Sequence, residues 1–274
     1  MDRYLQIKTP VFYLIFLFFI LTYYPTFHSL YLVWVDPVNK GYSHGVLLSI
    51  ILTFLLYREF SKNKELTIDL IYLPVIIFFS ILWAVGRLGV LQSVEYFAMY
   101  AVLFLLFLQV INPDRLQRTY LVLAFLFSMP LMNVFNGTLQ YLTAIFSYLL
   151  IKMSFIPIQR DGFLLLLPNG NFIVADYCSG LRQQIIALTL IIFYAYLNKL
   201  YFKQLSVLLL ITVIVAFIIN LIRIYIIILS GYFTNMTTSL VDDHSVLGWV
   251  IFGSGMFLYI TLLNRFLFKL EKPG

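Results

Sequence analysis

Three side chains in this sequence combine into nucleophilic acyl-transfer chemistry: a thiol, a guanidinium inside an apolar run, and an imidazole just before a helix. The thiol is Cys178, the only cysteine among 274 residues, in "ADYCSGLRQQ" (175–184). Asp176 precedes it by two residues and Arg182 follows it by four. Ser179 is a good N-cap and Gly180 eases the turn, so Cys178 falls at the start of a helix. The partial positive charge of that terminus and the full charge of Arg182 favour thiolate over thiol. The plainer alternative is a small buried cysteine, the fate of most cysteines in apolar chains.

Arg223 lies in "SVLLLITVIVAFIINLIRIYIIIL" (206–229). A charge inside hydrocarbon costs ~2.5–3.5 kcal/mol even on lenient scales and marks function by default. Lys203 marks the start of this helix, and the twenty residues from there to Arg223 span about 30 Å at about 1.5 Å each. That distance sets Arg223 at the far edge of the hydrocarbon, the level expected for Cys178. Asn220, three residues earlier, shares its face and is placed to hold the guanidinium. The competing role is an arginine snorkelling to the headgroups. His244, in "SLVDDHSVLGWVIFGSG" (239–255), sits two residues before the last apolar run. An imidazole there serves as general acid or base near neutral pH. Asp242 and Asp243 either orient it or merely solvate the loop. His44, in "NKGYSHGVLL" (39–48), opens another helix at the same predicted level.

Other chemistries fail on residues. The chain has no HExxH, no Gly-x-Ser-Gly and no phosphate-cradling glycine loop,. A single cysteine excludes an intramolecular disulfide and a cysteine zinc cluster. A site from His44, Asp242, Asp243 and His244 has irregular ligand spacing, so no metal and no cofactor is expected.

The elements that must position these residues are membrane helices. The chain is 62% hydrophobic and only 11% charged, where soluble domains carry about 25% charge. Apolar runs at 11–33, 43–57, 70–88, 95–111, 119–135, 181–198, 204–229 and 246–267 predict about eight transmembrane helices in one membrane-embedded domain covering 1–274,. The first run follows Arg3 and Lys8 but is too long for a cleaved leader, and reads as a retained anchor. The run 137–156 is dotted with Thr, Gln, Ser and Tyr, and either is interfacial, re-enters or crosses; the eight-span count takes it as not crossing. With eight spans, twelve basic residues fall on the side of the termini and six on the other. That asymmetry puts the termini in the cytoplasm and Cys178 outside. The net charge of +6 is scattered through short loops, which argues against a nucleic-acid partner. The segment "IPIQRDGFLLLLPNGNFIVADYCSG" (156–180) reads as a β-hairpin turned by Pro-Asn-Gly,. Open strands do not stand in lipid, so this hairpin belongs outside the bilayer or against protein, just ahead of Cys178. The fold class is therefore an all-α polytopic membrane protein with a short extracytoplasmic hairpin.

The sequence resembles the exosortase/archaeosortase family, polytopic membrane cysteine transpeptidases of the cell envelope. The likeness runs through "YSHGVLL" (42–48), "FSMPLMNVFNGTLQYLTAIFSYLL" (127–150), "GFLLLLPNGNFIVADYCSGLRQQ" (162–184), "NLIRI" (220–224) and "HSVLGWVIF" (244–252). The resemblance implies a catalytic cysteine, arginine and histidine on Cys178, Arg223 and His244. Arg182, Asn220, His44 and Asp176 are then supporting or substrate-binding residues. It implies as partners secreted proteins whose C-termini carry a Pro-Glu-Pro-like motif, a membrane helix and a basic tail, and a location in a bacterial inner membrane among its lipids. Asp176 and Tyr177 stand where Glu-Ala is more usual, and Gln183 and Gln184 replace more apolar residues. The competing class is a non-enzymatic transporter or polysaccharide-export component, in which Arg223 binds an anionic headgroup and Cys178 is filler.

Overall fold

The computed structural model describes residues 3–36, 42–62, 64–111, 115–237 and 245–270. The chain divides into two compact units, one of Met1–Leu131 with Thr189–Val207 and one of Met132–Leu188 with Leu208–Gly274.

The first unit runs β1 (Tyr4–Lys8), α1 (Thr9–Thr22), α2 (Tyr24–Val35), α3 (His44–Ser61), β2 (Glu65–Asp69), α4 (Leu73–Leu88), α5 (Gln92–Leu108), β3 (Val110–Ile111) and α6 (Arg115–Leu126). The three strands pair antiparallel in the order β1-β2-β3. Helices α1 to α3 therefore leave the sheet at β1 and return to it at β2, and α4 with α5 leave at β2 and return at β3. The sheet marks one end of the unit. Arg3 ties it, donating Nε to Asp69 Oδ1 at 3.1 Å and Nη2 to Oδ2 at 2.8 Å. That hydrogen bond and charge hold the Asp69 carboxyl below its ordinary range. Arg118 is fully buried at the same end and donates to Val110 O at 2.9 Å. Phe12 stacks on Phe60 with centroids 4.6 Å apart, and Phe107 packs against both.

The second unit holds α7 (Asn136–Met153), β4 (Gln159–Asp161), β5 (Leu164–Leu167), β6 (Gly170–Ile173), the first half of α8 (Leu181–Leu197), most of α9 (Phe202–Phe233) and α10 (Ser245–Leu270). The expected hairpin is present as β5 and β6, joined through Pro168 and Asn169, and β4 extends it to a three-stranded sheet β4-β5-β6. Asn169 Nδ2 donates to Tyr232 O at 2.8 Å and anchors the turn to α9.

The polytopic helical class stands, but the span count does not. Six helices among the described residues are long and apolar enough to cross a membrane, or seven if α1 and α2 count together. The run 11–33 is bent by 70° between α1 and α2. Pro25 is the cause, because it has no N–H and its ring collides with the carbonyl four residues back. The run 119–135 ends as α-helix at Leu126, and Pro130–Phe135 form 3-10 turns. The run 95–111 gives α5, 17 residues long, before the chain turns into β3. Conversely 137–156, which the eight-span count left out, is helix as far as Met153 and to that point belongs to a candidate span, Pro130–Met153. Its polar residues misled: Gln140, Thr143 and Ser147 lie on one face at helical spacing and are buried in protein,.

Candidate active site

Cys178 ends a single 3-10 turn, Asp176–Cys178, between β6 and α8. Its amide donates to Ala175 O at 2.8 Å. Ser179 Oγ accepts the Leu181 amide at 3.2 Å, which caps α8, and donates to Asn136 Oδ1 at 2.5 Å. Gly180 sits at φ +87°, where a side chain is strained, and a Cβ there would lie 2.7 Å from Asn220 Nδ2. Only glycine fits both demands.

Two helices grip this turn through its backbone. From α7, Gln140 Nε2 donates to Val174 O at 2.7 Å and Thr143 Oγ1 to Ser179 O at 3.1 Å. From α9, Asn220 Nδ2 donates to Cys178 O at 3.2 Å. The hydrogen bond of Asn220 thus goes to the cysteine, not to Arg223, whose guanidinium it was expected to hold. Asn220 is 1% exposed, so each of these bonds replaces water that is not there,.

Arg223 follows on the same helix and is 7% exposed. An arginine reaching for headgroups is expected to be open to them, whereas this one is enclosed by protein. Gly248 of α10 makes the room: a Cβ there would lie 2.7 Å from Arg223 Nε and 3.0 Å from Cζ. Arg223 Nε has no hydrogen-bond partner among the described residues. Arg223 stands on α9 between Asn220, which bonds Cys178 O, and Ile224, which lines the cavity that reaches Cys178. Arg182 is half-buried and Asp176 exposed. His44 belongs to the first unit, where its Nε2 is 3.2 Å from Phe127 O. His244, Asp242 and Asp243 lie outside the described residues.

A cavity of about 200 Å³ opens beside Cys178. It is lined by residues 171–174 at the end of the hairpin, by Tyr177 and Cys178, and by Ile224, Ile227 and Ile228 of α9. A thiol at the wall of a cavity, a buried cation on the neighbouring helix and a fixed backbone are the parts that nucleophilic acyl transfer requires. The comparison that decides the family is with Transmembrane exosortase, whose family profile matches residues 34–261.

The chain belongs to the exosortase family.

No curated protein and no solved structure matches it. Membership gives this exosortase a transpeptidase-type role at a membrane in general terms. Sequence reasoning missed three contributors to its site: Gln140, Thr143 and Gly248. The first two announce themselves only as a polar stripe in an apolar helix. Gly248 has no local signal, because its role depends on a residue of another helix.

Proposed function

We propose that this exosortase is a membrane cysteine transpeptidase that cleaves C-terminal sorting signals through a thioester on Cys178. The observation that carries the reading is the meeting of Cys178 and a cavity, under a backbone fixed by Asn220, with the buried Arg223 on the same helix as Asn220.

The Cys178 thiolate attacks the scissile carbonyl carbon, and the carbonyl π electrons move onto oxygen. Arg223 carries a fixed positive charge and a buried Nε–H that has no hydrogen-bond partner among the described residues. A preorganised donor of this kind stabilises an oxyanion without reorganising. As the oxyanion collapses, the C–N bond breaks and the amine leaves with a proton. His244 is the group assigned to supply that proton, on the family resemblance alone. An acceptor nucleophile, or water, then attacks the thioester and releases the thiolate. No cofactor enters any step. The substrates are secreted proteins ending in a short motif, a membrane helix and a basic tail, and the site faces outward from a bacterial inner membrane.

The test is processing of a sorting-signal reporter. Cys178→Ala is expected to abolish it while enzyme accumulation by immunoblot stays normal. Cys178→Ser is expected to be nearly as poor, because a hydroxyl forms its anion far less readily. Normal processing by Cys178→Ala would end the reading and favour the transporter class.

A further inference from the structure

Among the described residues strand β6 is an edge strand with one neighbour, β5. Which of its backbone groups face outward follows from the register. Leu165 pairs with Phe172 and Leu167 with Gly170, and the Val174 amide donates to Phe163 O at 2.9 Å. Residues 170, 172 and 174 are therefore the ones that exchange hydrogen bonds with β5. In an antiparallel ladder these alternate with residues that do not. The N–H and C=O of Asn171 and Ile173 thus point away from the sheet. No other described residue hydrogen-bonds to them.

Among the described residues this edge carries no charge or proline to discourage pairing. Natural edges are blunted by charge, proline or a covering element, and "GNFI" carries neither charge nor proline. The cavity beside Cys178 touches Asn171, Phe172, Ile173 and Val174 in succession. Consecutive strand side chains point to opposite faces, so a cavity that meets all four runs along the edge. No residue of β5 lines it, and it reaches Cys178. Ile173 and Tyr177 stand open beside it at 67% and 68% exposure. Bare amide groups beside apolar walls are costly until a partner arrives.

We propose that the outward edge of β6 is the substrate-docking edge, onto which an extended segment of the substrate adds as a fourth strand and so lays its scissile carbonyl beside Cys178. The inference rests on Cys178 being the nucleophile. Pairing through Asn171 and Ile173 gives affinity that is indifferent to side-chain identity, while the pocket walls read alternate side chains. The substrate must present free N–H groups at every second position.

Two measurements with purified full-length enzyme test this. In the first, Ile173→Pro deletes an outward N–H and leaves the β5 ladder intact, as edge strands tolerate. Ile173→Ala keeps the N–H and removes the side chain. One backbone hydrogen bond is worth roughly a factor of ten when its partner is left bare. The expected result is KM raised about tenfold by Ile173→Pro and much less by Ile173→Ala, with small-reagent alkylation of Cys178 unchanged in both. Equal losses in the two variants, or a normal KM in Ile173→Pro, overturn the docking edge. If Ile173→Pro does not accumulate, the second measurement decides. Peptides spanning the cleavage site of a processed reporter carry an ester in place of one amide at a time. Loss of competition at every second position supports pairing; uniform tolerance, or loss without alternation, overturns it. Amide exchange adds one outcome: protection of Asn171 and Ile173 in enzyme without peptide would mean that this chain itself covers the edge, and overturns the proposal. Cys178→Ala separates the two layers. If it is inactive while the β6 tests fail, only the docking edge falls; if it is active, the nucleophile falls first.

Discussion

At the scale of residues, the site depends on burial that opposes its own chemistry. A guanidinium 7% exposed has given up most of its water, and such a charge is kept only where its field is used. Lysine keeps the charge but not the planar fork that engages two acceptors in fixed geometry. Arg223→Lys is therefore expected to accumulate normally and to process about 10²–10³-fold more slowly, the loss typical of one oxyanion donor. Reporter turnover against immunoblot reads it, and full turnover at normal abundance would remove Arg223 from the mechanism. Asn220→Ala is expected to give a smaller loss through the unsupported Cys178 carbonyl, about tenfold. These reactive types were legible in the sequence because they are rare in an apolar chain. Their partners were not. Asn220 shares a helix face with Arg223, and spacing alone joined the two. The structure gives the amide to Cys178, a contact between residues 42 positions apart that no local pattern encodes.

At the scale of elements, helix α10 seats two residues of α9 with two glycines. Gly248 faces Arg223 and Gly255 faces Ile219, and a Cβ at either would come within 2.7 Å of the facing side chain. The clashes differ in kind. At Gly255 the nearest atom is Ile219 Cδ1, the free tip of a side chain that can turn away. At Gly248 it is Arg223 Nε, with Cζ next, so the guanidinium itself must move. Gly255→Ala is expected to be mild in both accumulation and turnover. Gly248→Ala is expected to keep accumulation and lose turnover by at least tenfold, since small misplacements at a reacting centre are costly. Comparable turnover in the two variants would break the link from Gly248 to Arg223. Most helices and the hairpin were readable from apolar runs and turn residues. The failures have definite causes: Pro25 and Pro130 interrupt runs that composition joins, and the polar face of α7 turns inward to hold the Cys178 turn. The sheet β1-β2-β3 escaped notice because its strands come from three distant short segments.

At the scale of the whole molecule, the claim is orientation. In the first unit the chain returns repeatedly to one sheet, and Arg3, Lys8, Lys64, Arg115 and Arg118 cluster in sequence around its strands. Basic ends of this kind are expected in the cytoplasm. Tyr120 Oη donates to Leu200 O at 2.8 Å in the same unit, between Lys199 and Lys203 in the α8–α9 turn and the basic start of α6. The candidate span Asp176–Leu197 starts around Cys178 and leads into Lys199. Cys178 is thus expected on the outer side. It is the only thiol in the chain, so a small membrane-impermeant thiosulfonate reads it without ambiguity. Modification in intact cells is the expected outcome; modification only after lysis would reverse the topology.

The central claim, an acyl thioester on Cys178, has one direct measurement. Hydroxylamine intercepts thioesters and leaves a hydroxamate on the carbonyl that the enzyme had held. Reporter processed by purified enzyme in its presence, analysed by mass spectrometry of the new C-terminus, is predicted to carry the hydroxamate, and Cys178→Ala to give no product. A free carboxylate alone at that C-terminus at every hydroxylamine concentration, with undiminished yield, would contradict the thioester and the account built on it.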